Sequence, residues 1–187
     1  KEIVLIKHDR NRGKGAGVRT GIRKSTGDII IIQDADLEYD PKDYKQCIEP
    51  IVKGDAKVVY GSRILHQRKN PSNFLFRGKH ENAGLFAYIG GSAVSLLTNL
   101  LFFTWITDEP TCYKTFDAKT IKKIRIVGKG FEWEPEVTAK LLRKGHKIVE
   151  VPISYHPRSV HEGKKINWKD GFKALSTLLK YRFKRIK

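Results

Sequence analysis

Four consecutive isoleucines, Ile29, Ile30, Ile31 and Ile32, constrain this chain most. Thr26-Gly27-Asp28 precedes them and Gln33-Asp34-Ala35-Asp36 follows. β-branched side chains favour pleated backbone, and so short a run between turn residues is a strand. An unbroken apolar run, without polar alternation, means a strand covered on both faces. Three further strands are expected, at residues 3–6, 57–60 and 147–153. Helices are expected over residues 16–24, over 41–53 with Pro41 in the first turn, and over 134–144, stopped by Gly145. Strand and helix alternate, which points to an α/β fold with a mostly parallel sheet flanked by helices. Sheets of that kind bind ligands at the carboxyl ends of their strands.

Asp34 and Asp36 leave the isoleucine strand at alternate positions, which point the same way. Two carboxylates there make a hard-oxygen site for Mg2+ or Mn2+, and Glu38 offers a further ligand. The same residues also suit an acidic turn that caps a helix. Gly13-Lys14-Gly15-Ala16-Gly17 fails the dinucleotide spacing because position 18 is Val, and it lacks the GK[ST] of a P-loop. It presents either backbone amides and Lys14 to a nucleotide or a tight strand-to-helix turn. Arg63, Arg158, Lys164 and Lys165 follow strands at the ligand edge and suit phosphate, while most other cations are solvated surface. His146, His156 and His161 form no triad or metal spacing; only His161 lies within reach of a phosphate.

The formal net charge is +17, which points to an anionic partner: nucleic acid, a membrane surface or a phosphorylated substrate. Two cysteines, Cys47 and Cys112, exclude a disulfide scaffold and a structural zinc site. No nucleic-acid motif is present. Residues 82–107 carry no charge. They have the length of a membrane span, yet glycines and hydroxyl residues interrupt them. A span would also separate the acidic site from the strand at 147–153. Helices docked on the domain or lying in a membrane interface are therefore expected. Residues 166–187 read as a basic amphipathic helix of the membrane-surface type. The chain opens directly on an apolar strand and contains no Met, so it reads as part of a longer protein.

The segment Gln33-Asp34-Ala35-Asp36-Leu37-Glu38-Tyr39-Asp40-Pro41 resembles the DxD segment of family 2 glycosyltransferases, in particular polyprenyl-phosphate hexosyltransferases of the dolichyl-phosphate mannose synthase type. Asn11-Arg12-Gly13-Lys14-Gly15, Gly61-Ser62-Arg63, Thr107-Asp108-Glu109-Pro110-Thr111-Cys112-Tyr113-Lys114, Glu134-Pro135-Glu136 and Pro157-Arg158 through Gly171 match in the family's order. The resemblance covers nearly the whole chain. It implies a GT-A fold and inverting, metal-dependent transfer of a hexose from a UDP- or GDP-sugar to a polyprenyl or dolichyl phosphate at the cytoplasmic face of a membrane. It implies that Asp34, Asp36 and Glu38 are metal ligands and that Arg63 contacts phosphate or sugar; Gly13 and Lys14 stay substrate-contact candidates from the glycine run itself. Asp108, Thr111, Tyr113 and Lys114 then belong to an acceptor loop, and Arg158 and Lys165 clamp the diphosphate beside His161. Glu134 is the candidate base or sugar-hydroxyl contact. Relatives begin with two more strand–helix units, which hold base and ribose. A non-catalytic membrane-bound relative and a basic nucleic-acid-binding module are the competing readings.

Overall fold

The computed structural model describes residues 3–69, 81–158 and 168–184. Its elements are α1 (Lys14–Lys24), β1 (Ile29–Ile31), a 3-10 turn (Pro41–Asp43), α2 (Tyr44–Val52), β2 (Val58–Ser62), α3 (Arg63–Lys69), α4 (Glu81–Phe102), β3 (Lys114–Asp117), α5 (Ala118–Lys122), α6 (Trp133–Arg143), β4 (Val149–Pro152) and α7 (Trp168–Phe183).

The sheet order is β1-β3-β2-β4. β3 pairs antiparallel with both β1 and β2, and β2 pairs parallel with β4. Three of the four strands therefore share one direction, as the strand–helix alternation requires, while β3 runs against them between β1 and β2. This reversal decides where the site forms. The amino end of β3 lies at the same edge as the carboxyl ends of β1, β2 and β4. The loop at 108–113 is thereby delivered to the expected ligand edge.

Both faces of the sheet are covered. Ile30 and Ile32 join Val58, Tyr60, Phe116, Trp133, Val137 and Leu141 under α1, α5 and α6. Ile31 packs on the other face with Tyr39, Cys47, Tyr113 and Ile153. Nearly all of α6 is buried because α4 and α7 form a further layer over it, where Val94, Ala139, Leu178 and Tyr181 meet. Helix α6 ends before Gly145, whose φ of +79° is the left-handed conformation such a stop requires.

One expectation needs correction, and two segments need comment. Residues 3–6 form no strand, and Ile3, Val4 and Leu5 are exposed. Among the described residues none pairs with the outer edge of β1, so that apolar run has no ladder to join. Residues 63–69 form α3, which the sequence pattern does not announce; its start is capped by Ser62 Oγ accepting from Leu65 N at 3.0 Å. The uncharged run at 82–107 lies largely in α4, which docks through Val94, Leu97, Leu101 and Phe102. Among the described residues no helix is long and apolar enough to cross a membrane.

Candidate active site

Asp34 follows β1 and faces Lys14 at the start of α1. Lys14 Nζ donates to Asp34 Oδ2 at 2.6 Å and to Glu134 Oε1 of α6 at 2.8 Å. Burial alone would raise the Glu134 carboxyl, but Lys14 and Lys114 outweigh it and hold Glu134 below the usual range. Burial acts to lower Lys14, and Glu134 and Asp34 overcome it, so its pKa is raised. Glu134 is thus a fixed carboxylate gripping an ammonium, a poor proton acceptor.

The glycines around Lys14 serve packing. Gly13 has φ +86°, and a Cβ there would lie 2.3 Å from Lys129 O. A Cβ on Gly15 would lie 2.5 Å from Gly128 O and 2.8 Å from Trp133 Cβ. Ala16 N donates to Lys129 O. The loop at 127–130 is itself held by carboxylates. Glu136 accepts from Val127 N and Gly128 N, and Glu132 from Lys129 N and Gly130 N. The tight-turn reading of the glycine run is the one the packing supports for Gly13.

Asp36 and Glu38 meet the segment that leaves β4. Arg158 Nη2 donates to Asp36 Oδ2 at 3.1 Å, and Arg158 N donates to Glu38 Oε1 at 3.0 Å. Tyr155 OH donates to Glu38 Oε2 at 3.2 Å. Asp36 Oδ1 also accepts from Glu38 N, so part of the acidic-turn reading holds as well, while capping of the next helical turn falls to Asp40, which accepts from Lys42 N. Among the described residues no three His, Cys, Asp or Glu side chains converge to hold a cation. The donor chemistry of Asp34 and Asp36 still fits a hard cation that takes its remaining ligands from phosphate oxygens and water. Glu38 is turned toward Tyr155 and Arg158.

Arg63 begins α3 and is gripped by Asp108. Its N and Nε donate to Asp108 Oδ2 at 2.9 and 2.7 Å, and its Nη2 donates to Asp108 Oδ1 at 2.6 Å. The guanidinium lies 4.9 Å from the Tyr155 ring. Asp108 is placed in turn by Glu150 of β4, which accepts from Thr107 N, Thr107 Oγ1 and Asp108 N at 2.8–2.9 Å.

The rest of the 108–114 segment divides by depth. Tyr113 OH donates to Gln33 Oε1 at 2.6 Å, and its ring packs against Tyr39 and Tyr44. Thr111 and Lys114 are fully buried. Lys114 Nζ donates to Glu109 O and Thr111 O at 2.6 and 2.7 Å, which makes it a strut beneath the loop. Glu109, also fully buried, gives one oxygen to Thr138 Oγ1, and burial pushes its carboxyl up to about 7. His161, Lys164 and Lys165 lie outside the described residues.

The fold therefore brings Asp34, Asp36, Glu38, Lys14, Glu134, Arg158, Arg63, Asp108 and Tyr113 to one edge. It sets Gly13, Thr111 and Lys114 in supporting positions. Sequence reasoning missed Glu109, Glu150 and Tyr155. Tyr155 follows β4 at its carboxyl end, a signal that could have found it, whereas the two glutamates carry none.

A sheet flanked by helices, with its charged residues gathered at the carboxyl edge of the strands, agrees with the GT-A fold. The chain superposes on glucosyl-3-phosphoglycerate synthase from Mycobacterium tuberculosis in complex with Mn2+ and UDP-glucose, with a TM-score of 0.61 at 15% identity, over 95% of this chain and 56% of that one. The present chain thus spans little more than half of that structure. Residues 1–109 match the family described as Glycosyl transferase family 2, and the chain belongs to that family. It is 31% identical over 185 residues to the UDP-N-acetylglucosamine–dolichyl-phosphate N-acetylglucosaminyltransferase of Methanococcus voltae, covering 95% of this chain and 69% of the relative. It is 28% identical over 152 residues to the undecaprenyl-phosphate mannosyltransferase of Micrococcus luteus, covering 80% and 57%.

Proposed function

We propose that this chain forms the transfer site of a glycosyltransferase that moves a hexose from a UDP- or GDP-sugar to a polyprenyl or dolichyl phosphate, with inversion. The carrying observation is the pairing of Asp34 and Asp36 at one strand end with Lys14 and Arg158 from distant segments. Relatives of this chain are named for lipid-phosphate acceptors, and solved GT-A neighbours contain Mn2+ and UDP-glucose.

The residues divide the work by charge. Asp34 and Asp36 would hold Mg2+ or Mn2+ against the donor diphosphate. That cation supplies charge neutralisation of the leaving group. Arg158 turns from Asp36 onto the diphosphate, a forked donor suited to phosphate, and Lys165 follows it in the same basic segment. Arg63, held by Asp108 and stacked near Tyr155, meets the acceptor phosphate or the sugar. Preorganised charge of this kind stabilises the transition state without reorganisation during reaction. The acceptor phosphate is already anionic, so its oxygen attacks the anomeric carbon without a strong base. Glu134, a carboxylate held by Lys14, then serves to contact a sugar hydroxyl and to fix Lys14.

A lipid acceptor and a nucleotide donor meet at the cytoplasmic face of a membrane. The test supplies the intact protein with vesicles, polyprenyl phosphate, Mn2+ and a panel of labelled UDP- and GDP-sugars. Label entering the lipid phase with one donor supports the reading. Absence of lipid-linked label with every donor refutes it.

A further inference from the structure

Glu38 stands apart from the two aspartates before it, because it is turned into the protein and is only 8% exposed. Leu37 takes a left-handed φ of +61°, a conformation a Leu rarely adopts, and is 89% exposed. The reversal throws Leu37 outward and Glu38 inward. There Glu38 holds the segment that leaves β4. Its Oε1 accepts from Arg158 N at 3.0 Å and lies 3.4 Å from Arg158 Nε. Its Oε2 accepts from Tyr155 OH at 3.2 Å, and its carbonyl accepts from His156 N at 2.8 Å. The Tyr155 ring fixed in this way packs on Tyr39, with centroids 5.3 Å apart, and on the Arg63 guanidinium.

The Arg158 guanidinium is held more loosely than its backbone. It meets Asp36 through one hydrogen bond, from Nη2 at 3.1 Å, and its Nε is buried with no hydrogen-bond partner among the described residues. A buried donor without an acceptor costs free energy, and a guanidinium fork suits two oxygens at once. Lys14 on the neighbouring aspartate is seated differently. It lies between two carboxylates, Asp34 at 2.6 Å and Glu134 at 2.8 Å. Asp36 has both oxygens engaged, Oδ2 by Arg158 and Oδ1 by Glu38 N. A cation at Asp36 therefore meets Arg158 first, and like charges on one carboxylate repel.

We propose that Arg158 is an exchangeable internal cation at Asp36 and that Glu38 is the residue that positions it. This rests on the reading that Asp34 and Asp36 hold a divalent cation, and Glu38 is then a latch and not a ligand. The guanidinium balances Asp36 while no metal is bound, and it swings away when a divalent cation takes its place. Its backbone N–H stays on Glu38 Oε1, so the swing is confined to the side chain. The fork is then free for an anionic donor, and the buried Nε gains the acceptor it lacks. Cation and donor are thereby coupled, since each favours the arrangement the other needs. Tyr155 is held by the same carboxylate, so the ring beside Arg63 does not follow the swing.

The test reads Mn2+ binding by the intact protein with no sugar donor present, from the electron paramagnetic resonance of free Mn2+ and by calorimetry. Arg158→Gln should bind Mn2+ about three- to tenfold more tightly than the parent, because the competing charge is gone. Arg158→Lys keeps the charge and should return toward the parent. Glu38→Ala should bind Mn2+ at least as tightly as the parent, while UDP or GDP at saturating Mn2+ should bind it about tenfold more weakly. Glu38→Gln can still accept from Arg158 N and should restore nucleotide binding. A loosened fold would weaken both ligands and lower the melting temperature, and it does not tighten Mn2+ binding. Mn2+ binding by Arg158→Gln no tighter than the parent's overturns the exchange. Mn2+ binding about tenfold weaker in Glu38→Ala, or nucleotide binding equal to the parent's, overturns the latch. None of these readouts involves sugar transfer. A failed exchange therefore leaves the transfer reading standing, and failed transfer with the exchange intact strikes that reading alone.

Discussion

Removing Asp108 should expose how strongly the site depends on one buried ion pair. The Asp108 side chain is 4% exposed and that of Arg63 19%. Asp108→Leu leaves the guanidinium with Pro110 O, at 3.1 Å, as its hydrogen-bond acceptor among the described residues. Truncating one partner of a buried pair costs about 3–5 kcal/mol. Arg63's partial exposure and its contact with Tyr155 reduce that to roughly 2–4 kcal/mol. At about 2–4 °C per kcal/mol for a domain of this size, the melting temperature should fall by roughly 5–15 °C. Arg63→Met alone should cost a comparable amount, because it leaves the Asp108 carboxylate buried. The double variant should recover most of the loss, since both charges then leave together. Thermal and urea unfolding followed by circular dichroism, run as a double-mutant cycle, give the coupling directly. A coupling of about 2 kcal/mol is expected. Additive losses, or an Asp108→Leu variant within about 0.5 kcal/mol of the parent, would refute the reasoning.

Other perturbations follow from neighbouring contacts. Glu109 is raised by burial from 4.5 to about 7, so stability should fall as pH rises through that window, and Glu109→Gln should remove roughly 3 kcal/mol of that slope in urea titrations at pH 5 and 8. Glu134 is held below its usual value, so its contribution is present above about pH 4.5 and lost on acidification; Glu134→Gln should flatten the acid limb of the stability profile. Gly15→Ala should destabilise by about 1–3 kcal/mol because backbone and Trp133 crowd the new methyl, whereas Gly17→Ala, with nothing within 4 Å, should stabilise by about 0.5–1 kcal/mol. Paired thermal melts compare the two.

The sequence exposed those features that local chemistry writes into consecutive residues. The isoleucine run, the helix stopped at Gly145 and the acidic pair after β1 all stand where their patterns place them. What pairs with what was not legible. Lys114–Asp117 has no apolar run or alternation to mark it, yet it is a central strand, because its neighbours β1 and β2 supply both ladders. Residues 3–6 have the pattern of a strand and, among the described residues, no partner. Side-chain placement escaped for the same reason. Lys114 has the charge of a ligand contact, and only the fold turns it inward onto Glu109 O and Thr111 O. Glu150 lies on a strand without motif, and its importance comes from Thr107 and Asp108, more than forty residues away in the chain.

The central claim is that the Asp34–Asp36 strand end is the seat of metal-dependent sugar transfer. It is tested most directly by measuring transfer to polyprenyl phosphate by the intact protein and its Asp36→Asn variant across a Mn2+ titration. Asn at 36 keeps the size and removes the charge that faces Arg158. The account predicts that the variant loses at least about a hundredfold in rate and its dependence on Mn2+, while its folding transition stays near the parent's. Transfer at the parent's rate, with the parent's Mn2+ dependence, would contradict it.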